Sequence, residues 1–514
     1  MSEPDRPENL VQRPNGPLTR RALLGRGTAI GLGATTLPAL LAACGSDDED
    51  TSKAAGGAKK TYGGTGVADR AVGAARDLGA GTGLTLAFSS GNAGNFEPFY
   101  DEWKEQTGCS VKSHEIPVDQ FVDKIFASAT AKTSDWDLLA VQPRLFGDLI
   151  GAGALADISS YVDKYDPELD NEEHGFFQPQ NRYATSYNGK VYGLDDDGDN
   201  FIYVFRRDLI EDPKEQQAFK SRFGYELAPA TTWKQFRDIA EFFTREDDGL
   251  YGAAELVSTG WSFWFWQLRY ASTAAPQAYY FDDDMQPLVN SPGGIAALQN
   301  LVDLKPFMPK DIPSWNYTQT YAEFAKGNIA QETAWSSLAK FSNSPETSKV
   351  SDKWGSARMP GTEVDGKLIS RSIYGFGGSL MVWGHSKEAE LAYLFGQWIT
   401  SPELSGQMTA QPGFSDPFRI NDSKNEQLAE IYSREVMEAY PQTAAESVPE
   451  IMLKGSNEYS NALDENITRA FAGQIDAEEA MSNVERDWNS ITKRLGVESQ
   501  KEAWQYLKDS YPQA

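Results

Sequence analysis

Leu84-Thr85-Leu86-Ala87-Phe88, then Val111 to Ile116, then Asp137-Leu138-Leu139-Ala140-Val141 form the stretch that decides the fold class. The first run alternates as a strand does, and the third is a short apolar run of the kind buried inside a sheet. Helical patterns lie between them. Phe96, Phe99, Tyr100 and Trp103 form an apolar face after a Gly/Asn turn, and Phe121, Ile125 and Ala129 recur every four residues. Strands alternating with helices at this spacing predict an α/β unit with a mostly parallel sheet covered on both faces.

Toward the C-terminus the texture changes. From about 200 to 370 the chain has longer helical patterns, several tryptophans and irregular Gly/Pro/Asp segments, which reads as a second lobe. A length of 514 residues is too great for one core, so two lobes are expected on size alone. Near the end, Asp476 and Glu479 make a capping pattern. Met481, Val484, Trp488, Ile491 and Leu495 then repeat at three and four residues until Gly496. That periodicity predicts core packing.

Toward the N-terminus, residues 44–80 are mostly Gly, Ala, Asp, Lys and Ser, a composition that reads as a flexible tether. Ahead of it stands Thr19-Arg20-Arg21-Ala22-Leu23-Leu24 and an apolar run ending in Leu41-Ala42-Ala43-Cys44. The paired arginine looks like a twin-arginine export signal, and Leu-Ala-Ala-Cys resembles a lipobox. The run contains Gly31, Gly33 and Pro38 and is shorter than the roughly 20 apolar residues that span a bilayer, which disfavours a transmembrane helix. The expectation is a signal peptide over 1–43, lipidation of Cys44, and an exported protein anchored by lipid to the outer face of the cell membrane.

The bulk chemistry narrows the partners. With 47 Lys+Arg against 74 Asp+Glu the formal charge is −27, which excludes nucleic-acid binding and argues against an anionic membrane surface unless a lipid tethers the chain. Cys44 and Cys109 are the two cysteines. With Cys44 acylated no intrachain disulfide forms, and Cys109 is expected to be a buried, inert thiol. His114, His174 and His385 are widely spaced and make no metal-ligand pattern. Asp195-Asp196-Asp197-Gly198-Asp199-Asn200 has the density of a calcium loop but not its register of Gly and Glu. No Gly-x-Ser-x-Gly, P-loop or Gly-x-Gly-x-x-Gly occurs, so no cofactor, metal or catalytic site is expected.

A series of local patterns points to a family. They are Glu105-Gln106-Thr107-Gly108-Cys109-Ser110-Val111, Gly153-Ala154-Leu155-Ala156-Asp157-Ile158, and Tyr187-Asn188-Gly189-Lys190-Val191-Tyr192-Gly193-Leu194. Further on come Phe201-Ile202-Tyr203-Val204-Phe205-Arg206-Arg207-Asp208-Leu209, Thr232-Trp233-Lys234-Gln235-Phe236, and Ala472-Gly473-Gln474 with Glu478-Glu479-Ala480. In this order, over about residues 84 to 495, the chain resembles the solute-binding proteins of ABC importers, in the sugar-binding branch similar to maltose-binding protein. The resemblance implies a two-lobe periplasmic-binding-protein fold with a ligand cleft and a hinge between the lobes. It also implies ABC permease subunits as partners. Crossings are then expected near Asp195 to Asp199, Tyr374 to Gly378 and Gln411 to Pro417, giving one lobe of 80–194 with 376–410 and another of 200–373 with 418–514.

A sugar offers apolar C–H faces and a belt of hydroxyls, so its site needs flat aromatic platforms with polar groups at their edges. Trp261 and Trp264, in Trp261-Ser262-Phe263-Trp264-Phe265-Trp266, follow a Gly/Thr turn where the resemblance implies cleft aromatics. Trp335 matches the family's stacking tryptophan, and Tyr459 falls at or beside a further aromatic position. The polar candidates are Asp197 and Asp199 at the first crossing, Gln142 after the third strand, Arg419 after the last crossing, and Asn92; nearby Asn95 is at least as good a helix N-cap. At the first crossing Leu194 runs into three aspartates where the family often has a proline, which makes the cleft floor acidic and disfavours a phosphate ligand. Two other readings stay open: the same fold binding a polyol or polyamine, and a secreted glycoside hydrolase with paired carboxylates.

Overall fold

The computed structural model describes residues 66–79 and 81–513. The expected signal peptide, Cys44 and the start of the tether lie outside the described residues. Among the described residues, ten of the fourteen strands position the site: Gly83–Ser89 (β1), Ser110–Ile116 (β2), Leu138–Val141 (β3), Gly193–Asp197 (β4), Phe201–Arg206 (β5), Gln331–Trp335 (β6), Trp354–Ala357 (β7), Ser372–Tyr374 (β8), Gly378–Val382 (β9) and Ser447–Pro449 (β10).

The first sheet runs β2-β1-β3-β9-β4, with β1 parallel to both β2 and β3. The late strand β9 inserts between β3 and β4, antiparallel to each. Side chains alternate across this sheet. Leu84, Leu86, Phe88, Leu138, Leu380 and Val382 enter one apolar core, while Ala87, Leu139, Val141 and Met381 enter the core on the opposite face. Both faces are dry because helices cover them, as the short apolar strands predict.

The second sheet is β6-β5-β7, antiparallel throughout, and it stands in the largest core. Helix Trp233–Phe243 opens with a capping box in which Thr232 accepts from the backbone of Gln235, and it buries Trp233, Phe236, Ile239, Ala240 and Phe243. The C-terminal helix Ala477–Leu495 is capped by Asp476 and buries Met481, Val484, Trp488 and Ile491, the face that its periodicity predicts. A parallel pair, β8 with β10, sits near the passage between the two sheets.

Several boundaries differ from expectation. Helix Val67–Leu78 lies inside the stretch read as tether; it buries Val67, Ala71, Val72 and Ala75, and its alanines join the core beside helix Ala389–Ile399. Small side chains allow that close approach, so a composition poor in large apolar groups still packs. Phe177, Tyr183 and Ala184 belong to the largest core although they precede β4, whereas Phe418 belongs to the core of the first sheet. Phe418 thus packs with the first sheet, although the expected second lobe takes in 418. Cys109 is buried and free.

Candidate binding cleft

Three connecting segments pass between the sheets and meet. The first is Asp197–Asn200 between β4 and β5, the second Gly375–Gly377 between β8 and β9, and the third lies around Gly413–Pro417. Backbone groups and carboxylates tie them together. The Asp416 amide donates to Asp197 Oδ1 at 2.8 Å, the Gly377 amide to Asp199 Oδ2 at 3.1 Å, and the Tyr374 hydroxyl to Asp195 Oδ1 at 3.3 Å. Gly198 permits this meeting: its amide donates to the Asp416 carbonyl, and a Cβ there would stand 1.8 Å from the Pro417 carbonyl oxygen. Lys340 braces the third segment through its ammonium, which donates to the carbonyls of Thr409, Gln411 and Gly413 at 2.7 to 2.9 Å.

The cleft above this junction has two adjoining compartments of about 380 and 570 Å³, counting the part open to solvent, and both touch Asn92, Asp197 and Phe376. The first is walled by rings: Trp261, Trp335, Tyr317, Phe376 and Phe414, with Asp199 at its floor. Trp261 and Phe376 lie nearly parallel, 10° apart with centroids separated by 6.2 Å. The second compartment adds Gln142, Asp196 and Ser89. Phe376 itself has φ +76°, a backbone conformation uncommon for a bulky residue and held only where the surroundings demand it. Its amide donates to Glu450 Oε1 at 2.6 Å.

The floor is electrostatically tense. Asp197, Asp199 and Asp416 bring one carboxylate oxygen each within 4.8 Å of one another, and all three are buried. Burial, then mutual repulsion, pushes Asp197 and Asp199 well above the usual carboxylate range. Burial pushes Asp416 up to about 6, moderated by hydrogen bonds from the Ser336 and Tyr432 hydroxyls, and pushes Asp196 up to about 8. Lys340 is lowered to about 8 by its own burial. The three carboxylates are the one such group among the described residues, but Asp416 is already engaged by Ser336 at 2.5 Å and Tyr432 at 2.8 Å. Of the rings beside them, Trp261, Trp335, Phe376 and Phe414 carry no oxygen for a hard cation.

The structure brings Asn92, Gln142, Asp197, Asp199, Trp261 and Trp335 to the cleft. Asp197 and Asp199 are buried, not solvated as acidic turns usually are. Trp335 has two roles: it lines the cleft, yet only 5% of it is exposed, and its indole N–H donates to the Gly375 carbonyl at 2.7 Å. Three other candidates lie elsewhere. Trp264 is fully buried behind the wall, 5.3 Å from the Trp335 ring. Tyr459 faces the C-terminal helix, where its hydroxyl pairs with Thr492 at 2.7 Å and its ring meets Trp488 and Phe281. Arg419 is buried against Phe176 and donates to the carbonyls of Thr400, His174 and Pro167, a structural clamp with no face to the cleft. Asn95 caps no helix by its side chain; it donates to the Met408 carbonyl and accepts from the Ser415 amide.

Tyr317, Phe376, Phe414, Asp196 and Asp416 are cleft or floor residues that sequence reasoning passed over. A signal existed for Asp416, the one acidic residue in the third expected crossing, and for Phe376, set between Gly375 and Gly377. Phe414 lies in that same third crossing, and Tyr317 opens helix Tyr317–Lys326, whose apolar face is Tyr321, Phe324 and Ala325, so its own position at the helix start gives no sign of the cleft.

Comparison with known proteins agrees with this architecture. Residues 90–404 match the model of a family described as bacterial extracellular solute-binding protein. Among solved structures, a solute-binding protein of Agrobacterium radiobacter in complex with ribitol aligns at TM-score 0.67 and 18% identity, over 80% of this chain and 99% of that one. One from Agrobacterium vitis with bound D-mannitol gives 0.64 and 18% over 81% and 99%. A maltose-bound protein of T. maritima gives 0.65 and 17% over 80% and 100%. A probable amino-acid ABC transporter periplasmic-binding protein of Sinorhizobium fredii is 25% identical over 219 residues, which is 42% of this chain and about half, 48%, of that relative.

Proposed function

The chain belongs to the bacterial extracellular solute-binding proteins, and on that premise we propose that it captures a carbohydrate or polyol outside the membrane and delivers it to the permease of an ABC importer. Binding is its whole task, without catalysis. The observation that carries this reading is the ring-walled compartment with carboxylates and an amide at its edge: Trp261, Trp335 and Phe376 offer apolar faces, and Asp197, Asp199 and Asn92 offer polar atoms. Ring C–H groups cover aromatic faces while hydroxyls donate to the carboxylates.

Asp197, Asp199 and Phe376 also sit on the crossing segments, so ligand contacts and any rotation between the halves involve the same residues. On the far rim, Arg144 donates to Asn457 Oδ1 at 2.9 Å, and the Gly455 amide donates to Asp148 Oδ1 at 2.7 Å. These contacts join the two halves as a closed cleft would. Export and anchoring through Cys44 belong to the same proposal and rest on the twin arginines and the lipobox.

Ribitol, D-mannitol and maltose in the similar structures support a polyhydroxylated ligand. The partial relative makes amino acids the rival class. A thermal-shift panel of sugars, polyols and amino acids decides between them. A ligand at a hundred times its Kd adds about 2.7 kcal/mol to stability. The expected result is stabilisation by at least one sugar or polyol; stabilisation by amino acids alone would overturn the reading.

A further inference from the structure

The polar lining of the cleft is one-sided in charge: its donors are neutral, the amides of Asn92 and Gln142 and the hydroxyls of Tyr317, Tyr321 and Ser337, whereas its charged groups are all carboxylates. Among the described residues lining the two compartments there is no lysine, arginine or histidine. The nearest buried ammonium, on Lys340, is spent on three backbone carbonyls. Acceptors, by contrast, crowd the floor: Asp197 and Asp199 in the first compartment, Asp196 and Asp197 in the second. Asp196 is 3% exposed and lines the second compartment, and its Oδ1 has no hydrogen-bond partner. An unpaired carboxyl oxygen buried at a cleft wall leaves a hydrogen bond for a ligand to complete.

From these groups we propose that the natural ligand carries a protonated amine, an amino sugar or amino alditol whose ammonium sits over Asp197 and Asp199 while its carbon skeleton lies among the rings. This deepens the carbohydrate reading and rests on it. The rings favour an organic cation over a metal ion. Trp261, Trp335 and Phe376 present π faces that attract an ammonium and carry no atom that ligates a metal. The ammonium also relieves the repulsion among Asp197, Asp199 and Asp416, whose oxygens lie within 4.8 Å. A free amino acid suits the floor less, since it brings a carboxylate beside three others.

Titration calorimetry near pH 7 on the full chain with matched pairs tests this: glucosamine against glucose, mannosamine against mannose, and glucamine against sorbitol. In any pair that binds, the aminated member should be tighter by at least about tenfold. Asp197→Asn and Asp199→Asn each keep an oxygen for the Asp416 or Gly377 amide, and in each the ratio within a pair should fall toward one. Neutral members binding as tightly as aminated ones would overturn the proposal and leave the carbohydrate reading standing. Binding of amino acids or spermidine with no member of any pair would overturn both.

Discussion

Truncating Trp261 and Trp335 separately should split affinity from stability, because the two rings meet the cleft on different terms. Trp335 is 5% exposed and has the rings of Phe201, Trp264 and Trp261 at 4.5, 5.3 and 5.8 Å. Trp335→Ala removes that packing at a typical cost of about 3 to 5 kcal/mol. It also frees the Gly375 carbonyl, worth about 1 kcal/mol more. Trp261 is half-buried, and its ring stacks along Phe376 at the cleft wall. If a ligand covers about 60 Å² of it, Trp261→Ala loses about 1.5 kcal/mol of binding, roughly tenfold in Kd. Its folding cost should be well below that of Trp335→Ala. Urea unfolding of the ligand-free variants by circular dichroism, beside calorimetric Kd values, measures both quantities. A larger loss of apo stability in Trp261→Ala, or unchanged affinity there, would refute the assignment of Trp261 as platform and Trp335 as mainly core.

Other outcomes follow from the floor and the rim. Burial raises Asp196 from 3.8 to about 8, so the folded chain holds a proton that the unfolded chain releases between those values. Stability therefore falls as pH rises through that window, by at most on the order of 5 kcal/mol for this group; Asp196→Asn should flatten the fall of apo melting temperature between about pH 5 and 8, and an unchanged slope would contradict the buried carboxyl. Asp148→Ala removes the bond to the Gly455 amide across the cleft and should weaken ligand binding about fivefold without altering the circular dichroism spectrum; equal affinity would show that the rim contact does not hold closure. Saturating ligand should reduce the radius of gyration of an Asp148→Ala sample in small-angle scattering, and no change would argue against a moving cleft. Cys44→Ala should abolish incorporation of labelled fatty acid, and equal label would remove that residue as the acceptor.

The first sheet was legible because its evidence is local. Leu84 to Phe88 and Leu138 to Val141 show their apolar character within a few residues, and the helices between them keep period. The crossings needed more than periodicity: their positions came from the family resemblance. Within them, sequence order did not say which side chain faces inward. Arg419 looked like a ligand group because it follows a crossing and is charged, but its guanidinium is occupied by three backbone carbonyls. Tyr459 shows the same limit, since an aromatic at the right place beside a helix start turned inward to Trp488. Composition misled at Val67–Leu78, where alanines pack closely against a neighbouring helix.

The acidic floor has a consequence for how capture and closure are linked. Three segments that are distant in sequence are held together by the Gly377 amide donating to Asp199 and the Asp416 amide donating to Asp197. Those carboxylates repel one another, and burial raises their affinity for protons. An arriving positive charge lowers the cost of their ionisation, and an ionised carboxylate accepts more strongly from the same amides. Ligand binding should thus tighten the crossing bonds while it releases protons. Calorimetry in two buffers of different ionisation enthalpy measures that release near pH 7. A net release with glucosamine that is absent with glucose would join the two events, whereas proton uptake with an aminated ligand would break the link.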